Sequence, residues 1–280
     1  MSNFQVDNNL RFQYSCARER RLSACLIIYI SWCFIVLSCY FVSIWARYED
    51  KYEAIDLLYY LMYCILWKIM ILLDAQFACT VSLVCDRFKA INESLSRTAT
   101  ILCKPYVAGE DRLSNSPIDA VQRFASIHGI LCDLVDQVQN SFSISLVLVV
   151  ISSQFHLITT VYFGITQFNV NDNGMMTFVI LQAMSCSLHL LRLLMLVEPC
   201  YYTTAEGNNM KRIVCRMLTA APTSGKMAFH LEVLSRQLMM RTVSYRPMAA
   251  CALDRPLLAA VFGVVITYLV MLIQFQNYET

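Results

Sequence analysis

Charge is what this chain has least of. Only 15% of its 280 residues are Asp, Glu, Lys or Arg, against about 25% in an average soluble domain. Glycine and proline are also scarce, at 7 and 6, which excludes collagen-like repeats and low-complexity disorder. There is no CxxC pair and no Cys/His spacing that suits zinc, although the chain holds 13 cysteines. Cys25, Cys33, Cys39, Cys64, Cys79, Cys186 and Cys251 lie in or beside apolar runs, where cysteine acts as a small hydrophobe, so no disulfide framework is expected. Residues 1–22 contain no apolar h-region, so no cleaved signal peptide is expected at this N-terminus. A net charge of +2 provides no field for nucleic acid. No nucleophile–base pair and no metal-ligand cluster is present, which argues against an enzyme and leaves no cofactor or metal to expect.

What the chain does have is apolar side chain, 58% of its residues. A soluble domain of this length cannot hide so much, so the expected solvent is a lipid bilayer and the expected fold class is an all-α transmembrane bundle. A spanning helix needs about 20 mostly apolar residues. Five segments qualify: Ser23–Trp45, a stretch within Ala54–Cys85, Phe142–Phe168, Met175–Val197 and Leu257–Phe275.

The few charges orient these spans. Residues 1–22, 86–141 and 198–256 together carry 18 of the 22 Lys and Arg, while 46–53, 169–174 and 276–280 carry 2. The positive-inside rule then puts the start of the chain in the cytoplasm and its end outside. The expected organisation is a cytoplasmic segment 1–22, two spans in 23–85, cytoplasmic helices in 86–141, two spans in 142–197, cytoplasmic helices in 198–256, a last span 257–276 and an extracellular tail 277–280.

The two long cytoplasmic stretches read as helices. His128, Leu131, Leu134, Val135 and Val138 recur at helical spacing, as do Leu231, Val233, Leu234, Leu238 and Met239. Such faces must be buried, so the spans are expected to extend beyond the bilayer and pack there as a helical collar. Polar breaks at Gly109–Asn115 and Pro222–Gly225 would join the helices.

The last span holds a stripe. At about 100° per residue, Gly263, Thr267, Met271, Gln274 and Asn277 fall near one line of an otherwise greasy helix. Such a stripe must face another helix or water, and both readings are open on spacing alone. The segment Thr267 to Phe275, TYLVMLIQF, resembles the C-terminal signature of insect gustatory receptors: Thr-Tyr, five mostly apolar residues, Gln-Phe. Leu253-Asp254-Arg255-Pro256-Leu257-Leu258 resembles the family's approach to its last span. CDRFKAINESL (Cys85–Leu95) and the run His128, Leu131, Asn140-Ser141-Phe142 resemble two further family patterns, in the same order.

That resemblance implies a seven-span receptor with cytoplasmic N-terminus and extracellular C-terminus, of which this chain would hold spans three to seven, the first two lacking. It implies a tastant-gated, non-selective cation channel in the plasma membrane of gustatory sensory neurons. The partners it implies are a small-molecule tastant, the lipid bilayer and other subunits in a homo- or hetero-tetramer, with no nucleic acid. Gln274 and Phe275 would sit at or near the gate, and Met271 and Thr267 join them by sharing the stripe. Thr267, Tyr268, Gln274 and Phe275 are the signature residues. The stretches 86–141 and 198–250 would form the anchor where subunits meet. Sugar-receptor relatives carry Glu after Thr-Tyr; Leu269 here disfavours a sugar and leaves bitter or other tastants open. An odorant receptor of the same architecture is the nearest alternative. A secondary transporter is another, disfavoured because the chain shows no internal repeat and no proline inside its spans.

Polar residues inside the other spans are candidates for a ligand pocket. Lys68, near the middle of the second span, needs a cavity or a partner, and Asp74 lies too far around the helix to serve. Trp67, Tyr63 and Tyr60 nearby offer aromatic walls. Gln154 and His156 in the third span are further candidates. His189 suggests a polar cluster, and Arg192 is expected to snorkel to the interface. Asn92-Glu93-Ser94 is a glycosylation sequon that the expected topology keeps in the cytoplasm, unmodified.

Overall fold

The computed structural model describes residues 16–48, 54–102, 116–167, 175–220 and 226–279. The expected breaks Gly109–Asn115 and Pro222–Gly225 lie outside these residues. The described residues form six α-helices, one short 3-10 turn and no strand. In chain order the helices are α1 (Cys16–Tyr48), α2 (Ala54–Leu102), α3 (Ser116–Gln167), α4 (Met175–Ala220), α5 (Lys226–Met240) and, after the turn Pro247–Ala249, α6 (Arg255–Glu279). All but α5 carry a stretch long and apolar enough to cross a membrane.

The expected extension of the spans is pronounced. α2, α3 and α4 run for 49, 52 and 46 residues. At about 1.5 Å per residue each exceeds twice the ~30 Å thickness of a bilayer's apolar core. Their prolines stand where a helix tolerates them or bends. Pro117 and Pro256 occupy first turns, where a missing N–H costs nothing. Pro199, inside α4, leaves the Met195 carbonyl without its helical partner.

The chain divides into two compact units. One combines residues 80–141 with 199–246, and is built from parts of α2, α3 and α4 together with α5. Its core repeats at three- and four-residue steps: Val81, Val84, Phe88, Ile91 and Leu95 on α2; Val121, Phe124, Leu131, Val135 and Val138 on α3; Met210, Val214 and Met217 on α4; Leu231, Leu234 and Leu238 on α5. The expected collar faces are therefore real, with three exceptions. Leu134, Val233 and Met239 are exposed, because each falls on the flank of its helix rather than on the line that meets the core.

This unit also straps down the only described chain that is not helical near it. Gln139 grips Arg246 from both sides: its Nε2 donates to the Arg246 carbonyl at 3.1 Å and its Oε1 accepts from the Arg246 N–H at 2.8 Å. Asn208 donates to the Val243 carbonyl at 3.0 Å. Val243 itself is buried against Gly207, where a Cβ would stand 2.7 Å from Val243 Cγ2. Glycine is needed there for close approach, not for backbone freedom.

The other unit combines residues 16–79, 142–198 and 247–280, and contains α1, α6 and the remaining parts of α2, α3 and α4. Tyr29, Cys33 and Val36 on α1 pack with Ile71 on α2 and Leu188 on α4, and Trp67, Met184 and Leu191 close around them. The approach to α6 turns through Met248 and Ala249, both with positive φ (52° and 55°), a left-handed conformation that costs a side-chain-bearing residue about 1–2 kcal/mol. The start of α6 is held by a two-pronged ion pair in which Arg255 Nε and Nη2 donate to Glu198 Oε1 and Oε2 at 3.0 and 3.1 Å.

Candidate functional site

Two features of the second unit carry the polar residues that the sequence singled out. The first is α6. Among its described side chains it buries only Val261 and Val265 within the chain, with Leu269 and Ile273 half-buried on the same line. At about 100° per residue that line lies opposite the stripe. Gly263, Thr267, Met271 and Gln274 are all exposed, and so are Tyr268 and Phe275. A Cβ added at Gly263 would meet nothing within 4 Å. Thr267 donates to the Gly263 carbonyl of its own helix at 2.8 Å. The stripe is therefore not glue between helices of one chain: α6 packs by its apolar face and turns its polar, small-residue face away.

The second feature is a polar and aromatic cluster inside the bundle. Trp67 on α2 is its hub. Its ring stands 5.9 Å from His156 on α3 and 5.4 Å from His189 on α4, while the two imidazoles stack at 4.6 Å with their planes 10° apart. Tyr63, one turn earlier on α2, lies 6.2 Å from Trp67 and is exposed. The Arg192 guanidinium sits over Trp67, 5.7 Å from the ring centroid, a cation–π arrangement. Arg192 Nε also donates to Asp74 Oδ2 at 2.5 Å, both side chains being buried. The helical spacing explains the assembly: Tyr63, Trp67 and Asp74 recur at four and seven residues on α2, and His189 and Arg192 at three on α4.

Three of the sequence candidates, Trp67, Tyr63 and His156, are thus brought together. Two are not. Lys68 is exposed on the outside of the bundle, its Nζ 5.5 Å from the Phe34 ring. Gln154 is half-buried and sits about 200° around α3 from His156. The side chain of Tyr60 lies outside the described residues. Two residues belong to the site that sequence reasoning had placed elsewhere. Arg192 does not snorkel, because Asp74 offers it a buried partner 118 residues away. Asp74, rejected as a partner for Lys68, serves Arg192 instead. The available signal was that both are isolated opposite charges in apolar runs, since an ionisable residue inside a membrane nearly always pairs.

The sequon is settled by packing. Asn92 is buried on α2, and its Nδ2 donates to the Glu206 carbonyl at 2.8 Å and to Glu206 Oε2 at 3.1 Å. An amide so enclosed cannot carry a glycan in the folded chain.

A family model described as 7tm chemosensory receptor matches residues 2–279. A gustatory receptor for sugar taste, 43a, of Drosophila melanogaster is 30% identical over 158 residues, which are 56% of this chain and 36% of that receptor. The match thus spans about a third of that relative's length. Among solved structures, the insect olfactory receptor OR5 of Machilis hrabei, determined with eugenol, superposes with a TM-score of 0.70 over 96% of this chain and 68% of that one, at 13% identity. That likeness is one of fold.

Proposed function

The chain belongs to the 7tm chemosensory receptor family, and from that footing we propose that it is a subunit of a tastant-gated, non-selective cation channel. It is a membrane protein related to insect gustatory receptors and not an enzyme. The observation that carries the channel reading is the exposure of Gly263, Thr267, Met271 and Gln274 on the face of α6 opposite its own packing. A polar stripe that its own chain leaves uncovered calls for water or for copies of itself. Around a fourfold axis both are supplied at once. Four Gln274 amides form a neutral ring of dipoles that partly replaces the hydration of a cation, and Phe275 beside it provides an apolar constriction. A ring without charge discriminates poorly among cations.

The collar supplies surface for assembly. Ile130 on α3 and Phe229, Val233, Met239 and Met240 on α5 are apolar and exposed in the single chain. Such a concentration on neighbouring helices marks an interface, and we assign it to contact between subunits. Ligand entry belongs to the Trp67 cluster, in a bundle opening to the outside, with the N-terminus in the cytoplasm and the C-terminus outside. The Drosophila relative favours taste over smell, and gustatory neurons as the site of expression.

The test is electrophysiological. In the receptor expressed from its complete reading frame, Gln274→Ala should shift the permeability ratio among monovalent cations or the gating of ligand-evoked current. Wild-type selectivity and gating in that variant would remove Gln274 from the pore.

A further inference from the structure

Among its described side chains α6 buries Val261 and Val265 in its own chain, and its first residue, Arg255, is held by Glu198 of α4 through two hydrogen bonds at 3.0 and 3.1 Å. Such a fork fixes direction as well as distance, because one edge of the guanidinium must meet both oxygens of one carboxylate. Both side chains are partly exposed, 48% for Arg255 and 32% for Glu198, and an ion pair of that kind adds little to stability. Its geometry therefore calls for a use other than holding the fold together.

The place of Glu198 on α4 supplies one. It follows His189 and Arg192 by nine and six residues, which is about 14 and 9 Å along the helix from the side chains that meet Trp67. The next residue is Pro199, where α4 lacks a backbone hydrogen bond, and the division between the two compact units falls between these two residues. Glu198 is thus the last residue of α4 that belongs with the Trp67 cluster, just before the point at which the helix bends most readily. The chain that enters α6 is irregular over residues 241–254 apart from the turn at Pro247–Ala249, so it transmits force poorly. Arg255, by contrast, opens a helix of 25 residues with no proline beyond its first turn. That helix touches its own chain at Val261 and Val265, about 12 Å along the axis from Arg255 and about 17 Å from Gln274.

We propose that Glu198 and Arg255 are positioning residues for the gate: their ion pair passes a displacement of α4 at the Trp67 cluster to the start of α6, which rocks on Val261 and Val265 and swings Gln274 and Phe275. The inference rests on the channel reading given above, with ligand entry at the Trp67 cluster. A rearrangement of Trp67 against His189 and Arg192 shifts α4, and the Glu198 carboxylate moves with it. The fork obliges the Arg255 guanidinium to follow. Salt bridges and rigid helices carry coupling between distant sites in this way. A helix that packs by two buried valines resists the motion little, and its exposed face leaves room for the swing within its own chain.

The experiment separates current from stability. The receptor expressed from its complete reading frame is challenged with fructose, sucrose, quinine and eugenol under voltage clamp. Surface protein is counted by labelling, and the detergent-solubilised receptor is melted. Glu198→Gln and Arg255→Gln should each lower the maximal current per surface receptor at least fivefold, with melting temperature and permeability ratios unchanged. Arg255→Lys, which keeps the charge and gives up the fork, should fall between, and it remains informative if the glutamine variants do not reach the surface. Exchanging the charges, Glu198→Arg with Arg255→Glu, should recover at least half of the wild-type current. A merely structural contact would move the melting temperature and the surface count instead. Wild-type current in both single variants overturns the inference, and leaves the channel reading standing where Gln274→Ala still alters selectivity or gating. Standing current without added compound in the single variants also overturns it, because the pair would then hold the gate shut rather than move it. If the wild type passes no current with any of the four compounds, the channel reading falls and the inference with it.

Discussion

The two units differ in how far their buried polar groups are paired. In the unit of residues 80–141 and 199–246, Asn92, His128 and Thr203 each reach another helix, and Asn208 Oδ1 is left without a partner. Asn92 bonds Glu206, His128 Nε2 lies 3.3 Å from the Gly207 carbonyl, and Thr203 donates to the Val81 carbonyl at 3.2 Å. In the unit of residues 16–79, 142–198 and 247–280, Ser153, His189 and Arg192 retain buried atoms with no partner. Satisfied polar networks rigidify a core and specify one arrangement, whereas unsatisfied ones leave a reason to rearrange. The first unit's pairings hold its core in one arrangement, and the second leaves more of its buried polar atoms without a partner.

Three substitutions bear on that contrast, and thermal unfolding of the detergent-solubilised receptor measures each. The largest effect belongs to Arg192→Leu, which strands Asp74 as an unpaired buried charge and should cost about 3–5 kcal/mol. Replacing both residues, Asp74→Leu with Arg192→Met, should restore most of it. A double variant as unstable as the single one would mean that the pair is needed for more than mutual neutralisation. Next is Gly207→Ala in the first unit. The added Cβ collides with Val243, and overpacking of this kind costs about 1–3 kcal/mol; trimming Val243→Ala in the same chain should recover part of the loss. If Gly207→Ala melts like the wild type, the strap is softer than its hydrogen bonds indicate. The smallest effect belongs to Ser153→Ala, which removes a hydroxyl that bonds nothing and should change stability by less than about 0.5 kcal/mol. A loss above 1 kcal/mol would show that Ser153 has a partner in the unliganded protein and would erase the difference between the units.

The legible part of this fold was whatever depends on local pattern. Apolar run length delivered five membrane-crossing helices, and 3.6-residue periodicity delivered the buried lines through His128, Leu131, Val135 and Val138 and through Leu231, Leu234 and Leu238. The stripe on α6 was visible for the same reason, and so was its opposition to Val261 and Val265. Pairings between helices were not legible. Periodicity states which residues share a face but not which faces meet, so Arg192 and Asp74 looked like separate problems with separate solutions. Lys68 stands apart from the Trp67 cluster on the same ground: it follows Trp67 by one position, and one position is about 100° of rotation, enough to turn it to the exposed side of α2. The strap was invisible because its segment has no period, and its partners Gln139, Gly207 and Asn208 lie on helices far away in the chain. Trp67, Tyr63 and His156 could be selected because a polar or aromatic group inside an apolar run must be used for something.

The light packing of α6 bears on how the receptor is made. A helix that buries two of its described residues in its own chain gains little from folding onto its neighbours, so it must be able to reside in lipid on its own terms. Thr267 meets that need by returning its hydroxyl to the Gly263 carbonyl, so that this hydroxyl does not face hydrocarbon unsatisfied. Thr267, one of the residues proposed for the channel axis, is therefore tolerable at the lipid boundary before any axis exists. For the channel proposed above, this means that membrane insertion of a subunit need not wait for its assembly around an axis, so that the two are separable in time.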